Sequence, residues 1–305
     1  MALGERGRNP LMPRSTAEGA ASFRAAGALE PDPAVRCPDE MAAGFLGGLN
    51  VTTLAKHRLT APPYVRLVNR LLPGAYPYEI ARCRFIDEVA LREANDGLDE
   101  LVVLGAGLDS RPYRLGDRLG GLRVFEVDHP ASQATKRARL RRLLGTEPAG
   151  VRFVPVDFTR DDLRTHLTEA GHDEGAATLF IWCGVSMYLP APVAEAILAW
   201  VGGHRSPRTS IVFDAVWASV LGGHSSLYGA RELQRSVDRA GEPLRWGIPD
   251  GKVDETLPRF GLRVERNLDD KAATAAYLTR TDGSSLGRPY GVGVLLHARV
   301  ATPQS

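Results

Sequence analysis

The stretch Leu101-Val102-Val103-Leu104-Gly105-Ala106-Gly107-Leu108-Asp109-Ser110-Arg111 constrains the fold more than any other part of the chain. Its apolar, partly β-branched run reads as a buried strand, and it ends at two glycines followed by the helix-start residues Asp109, Ser110 and Pro112. A strand, a tight turn and a helix in that order make a ligand seat. Glycine lets the backbone approach a ligand where a Cβ would collide, and the helix start offers unpaired N–H groups. Ser110 occupies the place of the third glycine in a G-x-G-x-x-G fingerprint, so the turn alone does not select the ligand.

After Leu98 the sequence alternates strands and helices, the pattern of a parallel, doubly wound sheet. Strands are expected at Glu100–Leu104, Arg123–Val127, Arg152–Val156, Thr178–Cys183, Ser210–Asp214, Leu262–Asn267 and Gly291–Val300. Helices are expected between them at about Arg111–Leu119, Ala131–Leu144, Asp161–Ala170 and Pro192–Gly203, then at Arg231–Ala240 and near Val253–Phe260. Before Leu98 only helices are indicated: one starting at Ser15-Thr16-Ala17-Glu18, then about Asp39–Leu46, Pro63–Leu72 and Tyr78–Asn95. Residues 1 to about 15, rich in Gly, Pro and Arg, are expected to form a loosely draped arm. The division is thus an arm and helical cap over 1–75 and a ligand-binding domain over 76–305.

In an open parallel sheet the ligand lies across the carboxyl ends of the strands. The first strand ends on Gly105, Ala106 and Gly107, and the second on Asp128, about 20 residues further on, where a carboxylate binds ribose hydroxyls. The third ends Asp157-Phe158, an acceptor for an adenine amino group beside a ring that packs on the base. A nicotinamide dinucleotide would use the glycines and Asp128 but has no need of Asp157; S-adenosylmethionine uses all of them.

Formal charge +2 on 305 residues gives no reason to expect nucleic acid or an anionic membrane as partner. The basic run Lys136, Arg137, Arg139, Arg141 and Arg142 is expected to be the solvated face of a helix. Cys37, Cys83 and Cys183 show neither disulfide nor zinc spacing, so no metal is expected and a reducing cytoplasm fits. The first residues lack an apolar export segment and no apolar run reaches the roughly 20 residues of a membrane helix.

The segments Leu104–Arg111, Phe125-Glu126-Val127-Asp128-His129-Pro130, Val154–Phe158 and Gly184-Val185-Ser186-Met187-Tyr188-Leu189, in that order, resemble the leucine carboxyl methyltransferase family. The closest likeness is to its bacterial S-adenosylmethionine-dependent O-methyltransferases, often tied to secondary metabolism, a branch that Ala17–Ala21 and Arg36–Asp39 also fit. The resemblance implies a Rossmann-like α/β fold: a mostly parallel seven-stranded sheet, an antiparallel C-terminal strand and an N-terminal helical cap. It implies S-adenosylmethionine as cofactor, held by Arg82, Gly105, Ala106, Gly107, Asp109, Arg111, Asp128, His129, Asp157, Phe158, Cys183 and Gly184. Within that set Gly105 faces the methionine moiety and Arg82 its carboxylate.

Where relatives carry Trp-Glu-Gly, this chain has Trp182-Cys183-Gly184. A thiol in apolar surroundings is inert, so Cys183 is expected to be filler. Tyr188 is the candidate positioning residue for catalysis, and Tyr188, Trp217, His224 and Tyr228 are candidates for a small-molecule substrate site. No His/Asp pair stands out as a base, which favours a carboxylate as methyl acceptor over a phenol or alcohol. Two alternatives remain: a methyltransferase-fold protein that has lost or changed the reaction, motivated by Cys183, and an NAD-dependent oxidoreductase.

Overall fold

A computed structural model describes residues 15–47 and 50–302; the expected arm lies outside them. Seven strands, β1 (Glu100–Leu104), β2 (Arg123–Asp128), β3 (Val151–Pro155), β4 (Thr178–Trp182), β5 (Ser210–Val216), β6 (Leu262–Leu268) and β7 (Gly293–Val300), form one sheet in the order β3-β2-β1-β4-β5-β7-β6. The first five pair in parallel, and β7 inserts antiparallel between β5 and β6. Each expected strand is present within two residues of its expected bounds.

Period-two alternation sends neighbouring side chains to opposite faces, and both faces are covered. Leu101, Val103, Leu179 and Ile181 join a core with Ala21, Ala25 and Tyr64 of the cap and Ile80, Phe85 and Val89 of the long helix that follows it. Val102, Leu104, Phe180 and Trp182 face the other way, onto Leu163, Leu167, Ile197 and Leu198. This double burial is why the strands read as continuous apolar runs.

The helices depart more from expectation. Helix α1 (Thr16–Gly27) starts as expected, Ser15 Oγ accepting the Glu18 N–H at 3.2 Å. The expected Asp39–Leu46 helix shrinks to one turn, α2 (Ala42–Phe45), and an unforeseen 3-10 helix follows at Val51–Lys56, capped by Asn50. Then come α3 (Ala61–Leu71) and α4 (Ala75–Asn95), which starts ahead of its expected position because Pro77 falls in its first turn, where proline is tolerated. The helix expected at Arg111–Leu119 breaks into α5 (Arg111–Arg114) and a 3-10 turn at Gly116–Leu119. Helices α6 (Pro130–Leu144), α7 (Leu163–Glu169), α8 (Ala191–Gly202), α9 (Ala230–Ala240) and α10 (Val253–Thr256) follow, and α11 (Asp270–Tyr277) was not expected. Asp269 caps α11 by accepting the Ala272 N–H at 2.8 Å, a start signal present in the sequence.

One expectation on α6 is corrected. Arg141 and Arg142 are exposed, but Lys136 is fully buried. Its Nζ donates to Glu126 Oε1 at 2.7 Å and to the Ala106 carbonyl at 3.4 Å. A charge run of uniform sign hid one residue that turns inward to a buried carboxylate on β2.

Candidate functional site

The turn after β1 adopts the backbone its glycines permit. Gly105 and Gly107 have φ of +66° and +43°, and a Cβ built on Gly105 would lie 2.3 Å from Val185 Cγ2. Gly105 is therefore packed against the segment after β4, with no room for a side chain, while Gly107 is set by its positive φ. At the end of β2, Asp128 Oδ2 accepts the Gly107 N–H at 2.7 Å, and Oδ1 accepts the His129 N–H at the same distance. Each oxygen keeps a lone pair for a ligand hydroxyl. Burial raises this carboxyl above its usual range, against the opposing pull of those two N–H donors.

On β3's exit, Asp157 is held low by the Thr159 hydroxyl and N–H, both donating to Oδ1. Phe158 is half-buried against the apolar core beside it. Gly105, Asp128 and Asp157 thus stand at the carboxyl ends of three adjacent strands. His129 is exposed, and its Nδ1 accepts the Ala131 N–H at 3.2 Å, capping α6.

Beyond β4 and β5 the site becomes densely charged and buried. Arg82 of α4 donates from Nη1 to Asp214 Oδ2 at 2.6 Å and from Nη2 to Glu79, while its Nε has no partner among the described residues. Asp214, on β5, also accepts the Gly184 N–H at 2.6 Å and faces the Tyr78 hydroxyl at 3.4 Å. Glu79 takes a second cation, Arg24 Nη1 at 2.8 Å, and Arg24 in turn holds Asp39 at 2.8 Å and the Leu108 carbonyl at 2.9 Å. One chain of charged hydrogen bonds therefore ties α1, α4, the glycine turn and β5 together. Asp109 and Arg111 pair with each other, and Arg111 Nε reaches Asp87 at 2.8 Å. Burial would raise Asp109, but Arg111 and Lys136 bring it down to about 2.

Tyr78 and Tyr290 stack with ring centroids 4.3 Å apart. Burial, with Asp214 nearby, lifts the Tyr78 hydroxyl well above its ordinary range; burial also lifts Tyr290 and, with Glu242, Tyr188. Burial pushes the Cys183 thiol up to about 12, despite Arg82. Tyr188 closes a 3-10 turn after β4. Of the other candidates, Trp217 is half-buried, its backbone N–H donating to the Val292 carbonyl at 2.8 Å, whereas His224 is exposed. Tyr228 is also exposed and lies under the Arg288 guanidinium at 4.7 Å.

Glu79 and Asp214 carry much of this site and were not singled out from the sequence. Asp214 ends the expected fifth strand, so the strand-end logic that found Asp128 applied to it as well. Glu79 gave one signal, its place one turn before Arg82.

The profile of the leucine carboxyl methyltransferase family matches residues 17–202. A Mycolicibacterium smegmatis protein named "Putative S-adenosyl-L-methionine-dependent methyltransferase" is 32% identical, over 94% of this chain and 92% of its own. The Bacillus subtilis protein YktD, named in the same terms, is 29% identical over 63% of each chain, so this chain spans less than two thirds of that relative. Among solved structures, the "putative methyltransferase" of Thermobifida fusca superposes with a TM-score of 0.54 at 14% identity, covering 91% of this chain and 97% of its own. That likeness is one of fold. The nicotinamide alternative finds no support in these comparisons.

Proposed function

The chain belongs to the leucine carboxyl methyltransferase family, and we propose that it methylates a carboxylate oxygen of a small-molecule acid of natural-product type, with S-adenosylmethionine as donor. The observation that carries this reading is the row formed by the Gly105–Gly107 turn, Asp128 and Asp157, one on each of three adjacent strand ends. The described residues fit the cofactor. Asp128 keeps lone pairs for ribose hydroxyls, Asp157 and Phe158 offer an acceptor and a ring for adenine, and Arg82 Nε is a buried donor without a partner for a carboxylate.

The bound cofactor supplies an electrophilic sulfonium methyl group. The protein's task is then to position an oxygen in line with it and to exclude water. No tyrosine, cysteine or histidine of the inner site stands ready to take a proton at neutral pH, and Glu79 and Asp214 are held against Arg82. Burial raises the Tyr78, Tyr188 and Tyr290 hydroxyls and the Cys183 thiol, and His129 is outside, occupied in capping α6. An acceptor that is already anionic needs no such base, whereas a phenol, with pKa about 10, usually does. The loss of a family carboxylate at Cys183 does not empty the site of negative charge, since Glu79 and Asp214 both lie against Arg82. This favours retained methyl transfer over a binding-only protein.

The test is a panel of aromatic and aliphatic acids and matched phenols incubated with methyl-labelled cofactor. Label recovered as methanol after mild alkali identifies a methyl ester and supports the proposal. Label that stays bound through alkali identifies an ether and overturns the carboxylate assignment.

A further inference from the structure

We propose that the outer face of α3, with the 3-10 segment before it, docks on an anionic lipid surface. Residues 41–78 contain no Asp or Glu, yet carry Lys56, Arg58, Arg66 and Arg70. The near-neutral charge of the whole chain conceals this local asymmetry. Elsewhere arginines are consumed by carboxylates, as Arg24, Arg82, Arg111 and Arg114 are, but Arg58, Arg66 and Arg70 are exposed and form no ion pair among the described residues.

The same segment holds most of the misplaced apolar surface. Leu59 is 91% exposed, Leu71 60%, Leu67 42% and Leu54 40%. On α3 the inward side is taken by Ala61, Tyr64, Val65 and Val68, which pack into the core. At helical spacing Leu67 and Leu71 flank that inward side next to Tyr64, and Arg66 and Arg70 fall opposite it, beside Pro63. Exposed leucines beside unpaired arginines suit an interfacial helix, whose apolar side chains enter the acyl boundary while its cations meet anionic headgroups. A protein partner would need a surface of about 800 Å² on this side, more than one three-turn stripe offers. The charge complement and the shape therefore favour lipid over an acidic protein. The chain leaving α3 leads back to the site, Gly74 accepting the Tyr290 N–H at 3.2 Å.

The experiment is co-sedimentation of the full chain with phosphatidylcholine vesicles, with and without a quarter phosphatidylglycerol. The protein should pellet with the anionic vesicles and not with the neutral ones. Each arginine near such a surface is worth about fivefold in partitioning, so R66Q/R70Q should bind about 25-fold more weakly at low salt. L67S/L71S should also weaken binding, and both variants should keep the wild-type circular dichroism and unfolding midpoint. Equal binding to both vesicle types, no binding, or variants that bind like wild type would overturn the proposal. So would light scattering that shows, without lipid, an oligomer which these substitutions split; the face would then belong to a second copy of the chain.

Discussion

Replacing Lys136 by methionine tests whether the buried cation beneath the glycine turn acts as described. Its Nζ is the ammonium bonded to Glu126 Oε1 at 2.7 Å and to the Ala106 carbonyl at 3.4 Å, with the Tyr113 ring 5.4 Å away. Glu126 is 1% exposed, and its Oε2 and the Tyr113 hydroxyl have no other hydrogen-bond partner among the described residues. Burial already raises the Glu126 carboxyl, with Lys136 opposing and Asp109 adding to the rise. Breaking a buried pair by removing one partner costs about 3–5 kcal/mol, because the remaining charge is uncompensated. In K136M the carboxyl escapes that cost by binding a proton. The folded state then holds more protons than the unfolded one across the range between their two pKa values, so stability falls as pH rises through it. At neutral pH the loss should be about 3 kcal/mol or more, and it should shrink steadily towards pH 4. A chain of this size loses roughly 2 °C of Tm per kcal/mol, which puts the neutral-pH deficit at about 6 °C or more. Scanning calorimetry of wild type, K136M and K136M/E126Q from pH 4 to 8 makes the check, and the double variant should recover much of the deficit at neutral pH. A deficit that is the same at both ends of that range, or absent, would refute the assignment of a charged pair under the turn.

Three further outcomes follow from the site. Asp128→Ala removes the acceptor for the Gly107 N–H and for ribose hydroxyls, so calorimetric titration should show S-adenosylhomocysteine binding weakened by about 1–3 kcal/mol with the fold intact. Cys183, its thiol pushed up to about 12 by burial, should be alkylated by iodoacetamide at pH 8 more than a thousandfold more slowly than free cysteine, as read by peptide mass spectrometry. Asp214→Ala leaves Arg82 and the Gly184 N–H short of a shared acceptor, so urea unfolding should show a loss of about 3–5 kcal/mol; a loss below 1 kcal/mol would mean that the hub is dispensable.

The sheet was legible because both faces of β1, β4 and β5 are buried, so that their apolar runs have no competing interpretation. The short helices were not. Whether residues 39–46 make two turns or one depends on Asp39, which instead turns inward to Arg24 and Ser110, a tertiary pull that no local pattern announces. Asp128 and Asp157, proposed here for ribose and adenine, were singled out by position at strand ends. Asp214 and Glu79 escaped because their partners, Arg82 and Arg24, lie 132 and 55 residues away in sequence. Lys136 escaped because an inward lysine within a run of arginines leaves the composition of the run unchanged, and Arg139 likewise turns to the Phe45 carbonyl. His224 and Tyr228 were singled out by their place in the loop after the fifth strand, and that loop leaves both exposed.

The central claim is that the strand-end row of Gly105–Gly107, Asp128 and Asp157 binds S-adenosylmethionine. Isothermal titration of the purified chain with S-adenosylhomocysteine, run beside NADH, tests it most directly. The account predicts saturable binding of S-adenosylhomocysteine at a stoichiometry of about one, a raised unfolding temperature and no response to NADH. Binding of NADH without S-adenosylhomocysteine, or of neither at millimolar concentration, would contradict it.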